Sequence, residues 1–160
     1  MSATVLERTK IQAQVLVPLV KALQAELGEE RANALVRKTL GGLYRRHAQE
    51  FANARNETSL GKLFASAWRT YARDDALEYD VLEETADAYA INVSRCRYAE
   101  FYKELGEPEL GFLLVCSADF AVADGIGGDV ELTCTQTIMQ GADHCDFRYK
   151  RVKAQDRETP

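Results

Sequence analysis

The hydrophobic period of this chain changes near its middle, from the 3.6-residue repeat of helices to the two-residue repeat of strands. Apolar residues recur at helical spacing over 5–27, and Gly28 is placed to end that helix. A second helical pattern covers about 29–51, and a third begins near Thr58 and Ser59, whose hydroxyls suit a helix cap. The first part of the chain is therefore predicted to be three helices.

The second part carries strand patterns. Apolar and polar residues partly alternate over 77–84 and again over 88–94, which predicts a hairpin with its loop near 84–87. A second alternating stretch covers 130–138, and Gly141 is placed to turn the chain into a return strand. These two pairs predict an antiparallel sheet of about four strands.

Two further helices are expected between the hairpins. One is short and covers about 95–105. The other covers 107–123, and because it is apolar nearly all round we expect it to be buried. The chain is thus predicted to be α+β, with helices packed on one face of the sheet, as a single domain over 1–153 and a disordered tail over 154–160.

Two glycines interrupt the second helical pattern. Gly41 and Gly42 should each weaken a helix by roughly 1 kcal/mol relative to alanine. We favour a kink or a close helix crossing as the reason for the pair. Room for a ligand is the functional alternative.

Composition restricts the class of partner and the location. The net charge of −5 and the pI near 5.1 argue against a general binder of nucleic acids or anionic membranes. No apolar run approaches the roughly 18 residues of a spanning helix, and the N-terminus lacks a signal-type apolar region. We therefore expect a cytoplasmic protein whose cysteines are thiols. An apolar first helix and an expected edge strand over 148–153 leave room for a homodimer.

The buried helix carries two candidate catalytic residues. Cys116 and Asp119 are three residues apart and so share a helical face. Burial raises the pKa of a carboxyl, which is what a general acid or base near neutral pH needs. The structural alternative is that Cys116 fills space and Asp119 caps or braces a neighbouring element.

A third candidate lies on the final strand. If Phe147 and Tyr149 face the core, Cys145 points inward with them. His144 then faces the other way, so a dyad of His144 and Cys145 would require a bulge. We interpret His144 as a surface residue and Cys145 as part of the same site as Cys116.

Three separated motifs between Cys96 and Arg148 resemble the L-2-amino-thiazoline-4-carboxylic acid hydrolase family. They are Cys96 itself, a Cys-x-x-Asp motif and a Gly-x-x-x-Cys-Asp-Phe motif. The second motif is formed by Cys116 and Asp119, and the third by Gly141, Cys145, Asp146 and Phe147. The resemblance covers about the last third of the chain. Cys134 stands where the resemblance leads us to expect an arginine, and we give it no catalytic role.

The resemblance implies a small hydrolase that opens a cyclic C–N bond in a cyclic amide, amidine, lactam or thiazoline. Cys116 is then the expected nucleophile, Cys145 its rival, and Asp119 the group that orients or deprotonates. Alternatively the thiols are bystanders and Asp119 activates water. No cofactor is required. We expect the substrate to contact six further residues: Cys96, Tyr98, Phe120, Phe147, Trp68 and His47.

Activation of a thiolate is the open question in this scheme. A cysteine beside a carboxylate in an apolar site has its pKa raised, so a cation must lie nearby. The sequence offers four candidates and does not choose between them: Arg95, Arg97, His47 and Arg148.

A binding module is the alternative function. The helix-plus-hairpin pattern with its Gly…Cys-x-Phe ending is also similar to small-molecule-binding domains of the vinyl-reductase type. In that interpretation Cys116, Cys145 and an acid would hold Zn²⁺. The spacing of the cysteines, which includes no Cys-x-x-Cys pair, does not itself indicate a structural zinc site.

Overall fold

The computed structural model describes residues 2–153, so the predicted tail over 154–160 lies outside the described residues. Its first part is helical, with α1 at Val5–Leu27, α2 at Glu29–Arg55 and α3 at Leu60–Tyr71. Gly28 alone joins α1 to α2, and its φ of +82° is a value that glycine adopts without strain. The Ser59 hydroxyl caps α3 by accepting a hydrogen bond from the Lys62 amide. The three-helix prediction is confirmed.

Four antiparallel strands form one sheet. They are β1 at Leu77–Glu84, β2 at Ala88–Cys96, β3 at Val130–Thr133 and β4 at Cys145–Arg151. The spatial order is β1-β2-β4-β3, so each hairpin places one strand at an edge and one in the middle.

Two predictions about the second hairpin are wrong. The strand expected over 130–138 ends at Thr133, because the chain then turns to bring the Thr135 and Gln136 amides to the Asp146 carboxylate. The segment 148–153 is not an exposed edge, since β4 pairs with β2 on one side and β3 on the other.

The segment between the hairpins is broken into several short pieces. After α4 at Arg97–Glu104, the stretch predicted to be one buried helix consists of α5 at Pro108–Gly111, a π-helical turn at Phe112–Cys116 and α6 at Ala118–Ile126. The π-helical turn contains a backbone hydrogen bond from the Ser117 amide to the Phe112 carbonyl of 2.9 Å. This turn lies directly before Asp119 and changes the helical register at Cys116.

Helix α2 runs through Gly41 and Gly42 without a kink, and it crosses α6. A Cβ on Gly41 would lie 3.8 Å from the Ala121 Cβ, which is ordinary contact. The closest approach is instead at Gly125, where a Cβ would lie 2.7 Å from the Ala48 Cβ and would collide with the Arg45 carbonyl oxygen. A close crossing was therefore expected at the wrong glycines, because Gly125 of α6, and not Gly41 or Gly42, is the residue that makes it close.

The helices cover one face of the sheet, which confirms the α+β prediction. Apolar residues of α3 and α6 pack on inward-facing residues of the two central strands: Tyr89, Ile91, Val93, Cys145, Phe147 and Tyr149. A second cluster joins α1, α2, α4 and α5. Within residues 2–153 none of the helices is both long enough and apolar enough to cross a membrane.

Candidate functional site

Asp119 lies in the first turn of α6, inside the protein. Ala123, four residues later on the same face, belongs to the cluster that packs on the sheet, so this face of α6 is directed at the sheet. Burial alone raises the pKa of Asp119 from 3.8 to about 7. No hydrogen bond or cation from the described part of the chain offsets that desolvation. Asp119 is therefore a carboxyl that exchanges its proton near neutral pH.

All four thiols of the chain lie around Asp119. Its charge contributes to raising the pKa values of Cys96, Cys116, Cys134 and Cys145, in each case after the larger effect of burial. They come from the end of β2, the π-helical turn, the segment after β3 and the start of β4. The structure thus brings together Cys116, Asp119 and Cys145, as the sequence analysis expected.

Three tyrosine hydroxyls complete the cluster. Burial raises the pKa of Tyr71 to about 12 and that of Tyr98 and Tyr149 as well, and the Asp119 charge adds to each shift. The Tyr98 hydroxyl donates to the Tyr71 carbonyl oxygen at 2.9 Å, and the Tyr149 hydroxyl forms a hydrogen bond with Trp68. We call Asp119, the four thiols and these three hydroxyls the Asp119 site.

Several residues of the Asp119 site are only partly buried. Asp119, Cys96, Cys116, Cys134 and Tyr71 each retain partial solvent accessibility. Asp119 retains this partial accessibility although the surrounding protein buries its carboxyl enough to raise the carboxyl pKa by desolvation alone. Asp119 is thus a residue of intermediate exposure whose carboxyl is nonetheless desolvated.

Among residues 2–153, no cation contributes to the pKa of Cys116. Burial, then Asp119, then the other three thiols raise its pKa well above 9.0. Cys116 is therefore a thiol, not a thiolate, at neutral pH in the unliganded protein.

Each of the four cations proposed from the sequence to activate Cys116 either has another hydrogen-bond partner or is exposed on the surface. Arg95 pairs with Glu100 and Glu78 on the surface, and Arg97 donates to the Asp74 carbonyl oxygen at 3.1 Å. Arg148 donates to the Ile91 carbonyl oxygen at 2.8 Å and to the Asn92 side chain, and His47 is exposed on α2.

Cys145, at the start of β4, is positioned by hydrogen bonds with the segment that precedes this strand. Its sulfur accepts a hydrogen bond from the Ile138 amide at 3.2 Å. Asp146 fixes the preceding segment by accepting from the Thr135 amide at 2.8 Å and the Gln136 amide at 3.0 Å. Burial raises the pKa of Cys145 to about 12 despite the hydrogen bond from Ile138, so this thiol is also protonated at neutral pH.

The expected substrate contacts separate into two groups. Trp68 and Phe147 pack together in the sheet-side core, with ring centroids 4.7 Å apart, and Tyr98 borders the site. Cys96 lies in the site and caps α4 by accepting from the Ala99 amide. Phe120 and His47 do not join them, because Phe120 is 44% exposed on the outer face of α6 and His47 is exposed on α2.

Sequence reasoning missed Tyr71, Tyr149 and Arg8. Tyr149 shares a strand face with Cys145, and Tyr71 follows Trp68 by three residues on α3, so both patterns were present in the sequence. Nothing in the local sequence signals Arg8, whose charge lowers the pKa of Tyr71 and Tyr98 against the larger effect of burial.

Two surface clefts lie on the other side of α6. One of about 190 Å³ is bounded by Gly41, Tyr44 and Ser117, and a wider one of about 600 Å³ runs from Phe120 to β3. Neither is lined by Asp119 or by a thiol.

The side chains of the Asp119 site do not form a metal centre. Among residues 2–153 no three His, Cys, Asp or Glu side chains are arranged to hold a metal ion. The zinc-bound alternative, which requires Cys116, Cys145 and an acid as joint ligands, lacks this arrangement.

The fold and the site define a small α+β domain that encloses an acid–base group among apolar walls. The family described as L-2-amino-thiazoline-4-carboxylic acid hydrolase matches residues 8–149, and the chain belongs to that family. The match covers most of the chain and includes the N-terminal helices as well as the three motifs.

A solved structure has the same kind of fold. It is the phenol-responsive sensory domain of the transcription activator PoxR with phenol, at a TM-score of 0.55 and 14% identity. The match covers 85% of this chain and 72% of that one. No protein with a curated description matches this chain.

Proposed function

We propose that the protein hydrolyses the C–N bond of a small cyclic amide, amidine, lactam or thiazoline at the Asp119 site. One observation carries the proposal: Asp119 is partly accessible, burial raises the pKa of its carboxyl to about 7, and no described residue neutralises it. A carboxyl of that pKa is suited to take a proton and return it within one turnover. The description of the family as a hydrolase supports the same class of reaction.

Asp119 performs the proton transfers in this mechanism. As the carboxylate, it removes a proton from an attacking water, whose oxygen bonds to the electrophilic ring carbon. The resulting tetrahedral intermediate collapses with cleavage of the ring C–N bond, and protonated Asp119 returns the proton to the departing nitrogen. One water is consumed and the ring opens, while Asp119 is restored to its starting state.

Water is favoured over Cys116 as the nucleophile. Burial and the neighbouring groups raise the pKa of the thiol well above 9.0, so forming a thiolate beside Asp119 is unfavourable. On this route Cys116 and Cys145 are apolar walls of the site. The thiol route, in which Asp119 deprotonates Cys116 and a covalent intermediate forms, is the alternative that experiment must separate.

Single variants distinguish these routes in an assay of ring opening of 2-amino-2-thiazoline-4-carboxylate and of a panel of cyclic amides. We expect Asp119→Asn to lower kcat by about 10²- to 10⁴-fold, as for loss of a general base. Cys116→Ser and Cys145→Ser retain most of the activity on the water route. Loss of activity in a folded Cys116→Ser protein, with a substrate adduct on wild-type Cys116 by mass spectrometry, would establish the thiol route instead.

Small-molecule sensing is a second candidate function. The similarity to a phenol-responsive domain and the absence of a cation at Cys116 favour it. On this candidate the site binds a ring without changing it. Calorimetric binding of a ring that is recovered intact after prolonged incubation would support sensing over hydrolysis.

The proposal extends to location and partners. We place the protein in the cytoplasm, where its four thiols stay reduced, with a small cyclic molecule as its partner. A homodimer through α1 stays a prediction, now based on the exposed side chains of Ile11, Val15 and Leu19.

A further inference from the structure

The N-terminal turns of α1 lie over one side of the Asp119 site. Leu6 is buried against Tyr98 and Ala76. Val5 packs on the same cluster, together with Cys96 of the site. The first two turns of α1 therefore form an edge between the site and the surface.

Arg8 is the cation on that edge. It follows Val5 by three residues, so the two lie on the same helical face, and its side chain is exposed. The Arg8 charge lowers the pKa of Tyr71 and Tyr98, whereas the Asp119 charge raises the pKa of the same two hydroxyls. Arg8 and Asp119 are thus both close enough to influence this tyrosine pair, and Arg8 is exposed whereas the Asp119 carboxyl is buried.

Arg8 has no partner of its own. Over residues 2–153 no carboxylate or carbonyl forms an ion pair or a hydrogen bond with its guanidinium, unlike Arg45, Arg95 and Arg151, which pair with acids. A guanidinium at the rim of a site offers a forked set of donors that fits a carboxylate.

We propose that Arg8 binds an anionic group on the substrate at the α1 edge of the Asp119 site, while the ring itself lies against Asp119. This inference rests on the proposed function for the identity of the ring. If the anionic group of the substrate pointed inward, the Asp119 charge would repel it, and no described cation of the site would offset that repulsion. If it points outward, it can pair with Arg8. Arg8 is then a specificity-determining residue that selects anionic rings over neutral ones and fixes which end of the ring enters.

The test compares two rings that differ only in charge. Isothermal titration calorimetry measures the Kd of 2-amino-2-thiazoline-4-carboxylate and of its neutral 4-carboxamide for wild type, Arg8→Gln, Arg8→Lys and Arg31→Gln. Arg31 is the matched control, since it is exposed at the start of α2, about 30 Å along α1 from Arg8 by helical rise. Circular dichroism and thermal unfolding verify that each variant is folded.

We expect Arg8→Gln to weaken binding of the carboxylate by about 10- to 100-fold and to leave the carboxamide unchanged. Arg8→Lys should restore part of the loss, and Arg31→Gln should have no effect. Three outcomes would overturn the inference. Arg8→Gln could weaken the binding of both rings equally, Arg31→Gln could weaken binding as much as Arg8→Gln, or wild type could bind neither ring. Because calorimetry reads binding and not turnover, a failure of hydrolysis is seen separately, as the absence of ring-opened product from wild type.

Discussion

The Asp119 carboxyl raises the pKa of the Cys116 thiol, three residues before it on the chain. An acid and a thiol at this separation resemble a catalytic pair in which the acid activates the thiol. The electrostatic effect is the opposite, because an ionised carboxylate opposes formation of a second negative charge nearby. Asp119 is itself the group whose protonation changes near neutral pH, and two predictions follow from its titration.

Asp119→Asn should stabilise the protein at pH 8 and not at pH 4. The folded pKa of about 7 lies above the ordinary value of 3.8, so between these values the folded state binds more protons than the unfolded state. The free energy of unfolding of wild type therefore falls as pH rises from about 4 to 7 and levels off above. The penalty is a few kcal/mol, at about 1.4 kcal/mol for each pKa unit. Urea unfolding of both proteins at several pH values measures it, and parallel curves would contradict the assignment.

The rate of ring opening should depend on the ionised form of Asp119. For a general base with a pKa of about 7, kcat/KM rises tenfold per pH unit below pH 7 and reaches a plateau above it. A profile from pH 5 to 9 measures this dependence. If a Cys116 thiolate formed without Asp119 were instead the reacting species, the rise would continue through pH 9, because burial raises the pKa of Cys116 well above 9.0.

Sequence periodicity predicted the elements whose two faces differ. The strand β1 was placed at 77–84 because apolar and polar residues partly alternate there, and the structure has Leu77–Glu84. The stretch 107–123 is apolar nearly all round. Because no face of it differs from the others, its hydrophobic pattern could not reveal the change of helical register at the π-helical turn. The end of β3 at Thr133 was missed for another reason, since it depends on Asp146, which lies ten and eleven residues beyond the two amides that it binds.

The site was predictable only where one residue was unusual in its context. Asp119 stood out as a carboxylate in an apolar segment, and the structure gives it the raised pKa expected of burial. Tyr71 and Arg8 are ordinary residues of amphipathic helices, and only the packing of the helices brings Tyr71 near Asp119 and Arg8 near Tyr71. Tertiary contacts between distant segments are what a single sequence does not reveal.

Gly125→Ala should destabilise the protein, whereas Gly42→Ala should not. A Cβ at Gly125 would lie 2.7 Å from the Ala48 Cβ and collide with the Arg45 carbonyl oxygen, so α6 must shift away from α2. We expect a loss of about 1–3 kcal/mol, as for other overpacked interiors. Gly42 is the matched control, since its Cβ would meet nothing within 4 Å and alanine favours the helix by about 0.5–1 kcal/mol. Thermal unfolding of both variants measures the contrast, and similar melting temperatures would show that the crossing is not tight.

Asp146→Ala should increase the reactivity of Cys145. Asp146 accepts hydrogen bonds from the Thr135 amide and hydroxyl and the Gln136 amide, and this segment leads directly to Ile138, whose amide covers the Cys145 sulfur. Without the carboxylate the segment loosens, and the thiol becomes accessible to an alkylating reagent. The rate of Cys145 modification by iodoacetamide, followed by peptide mass spectrometry, should rise relative to wild type. Asp143→Ala is the control, because that exposed acid contacts only His144 among the described residues and should leave the rate unchanged. An unchanged rate in Asp146→Ala would mean that other contacts hold the segment in place.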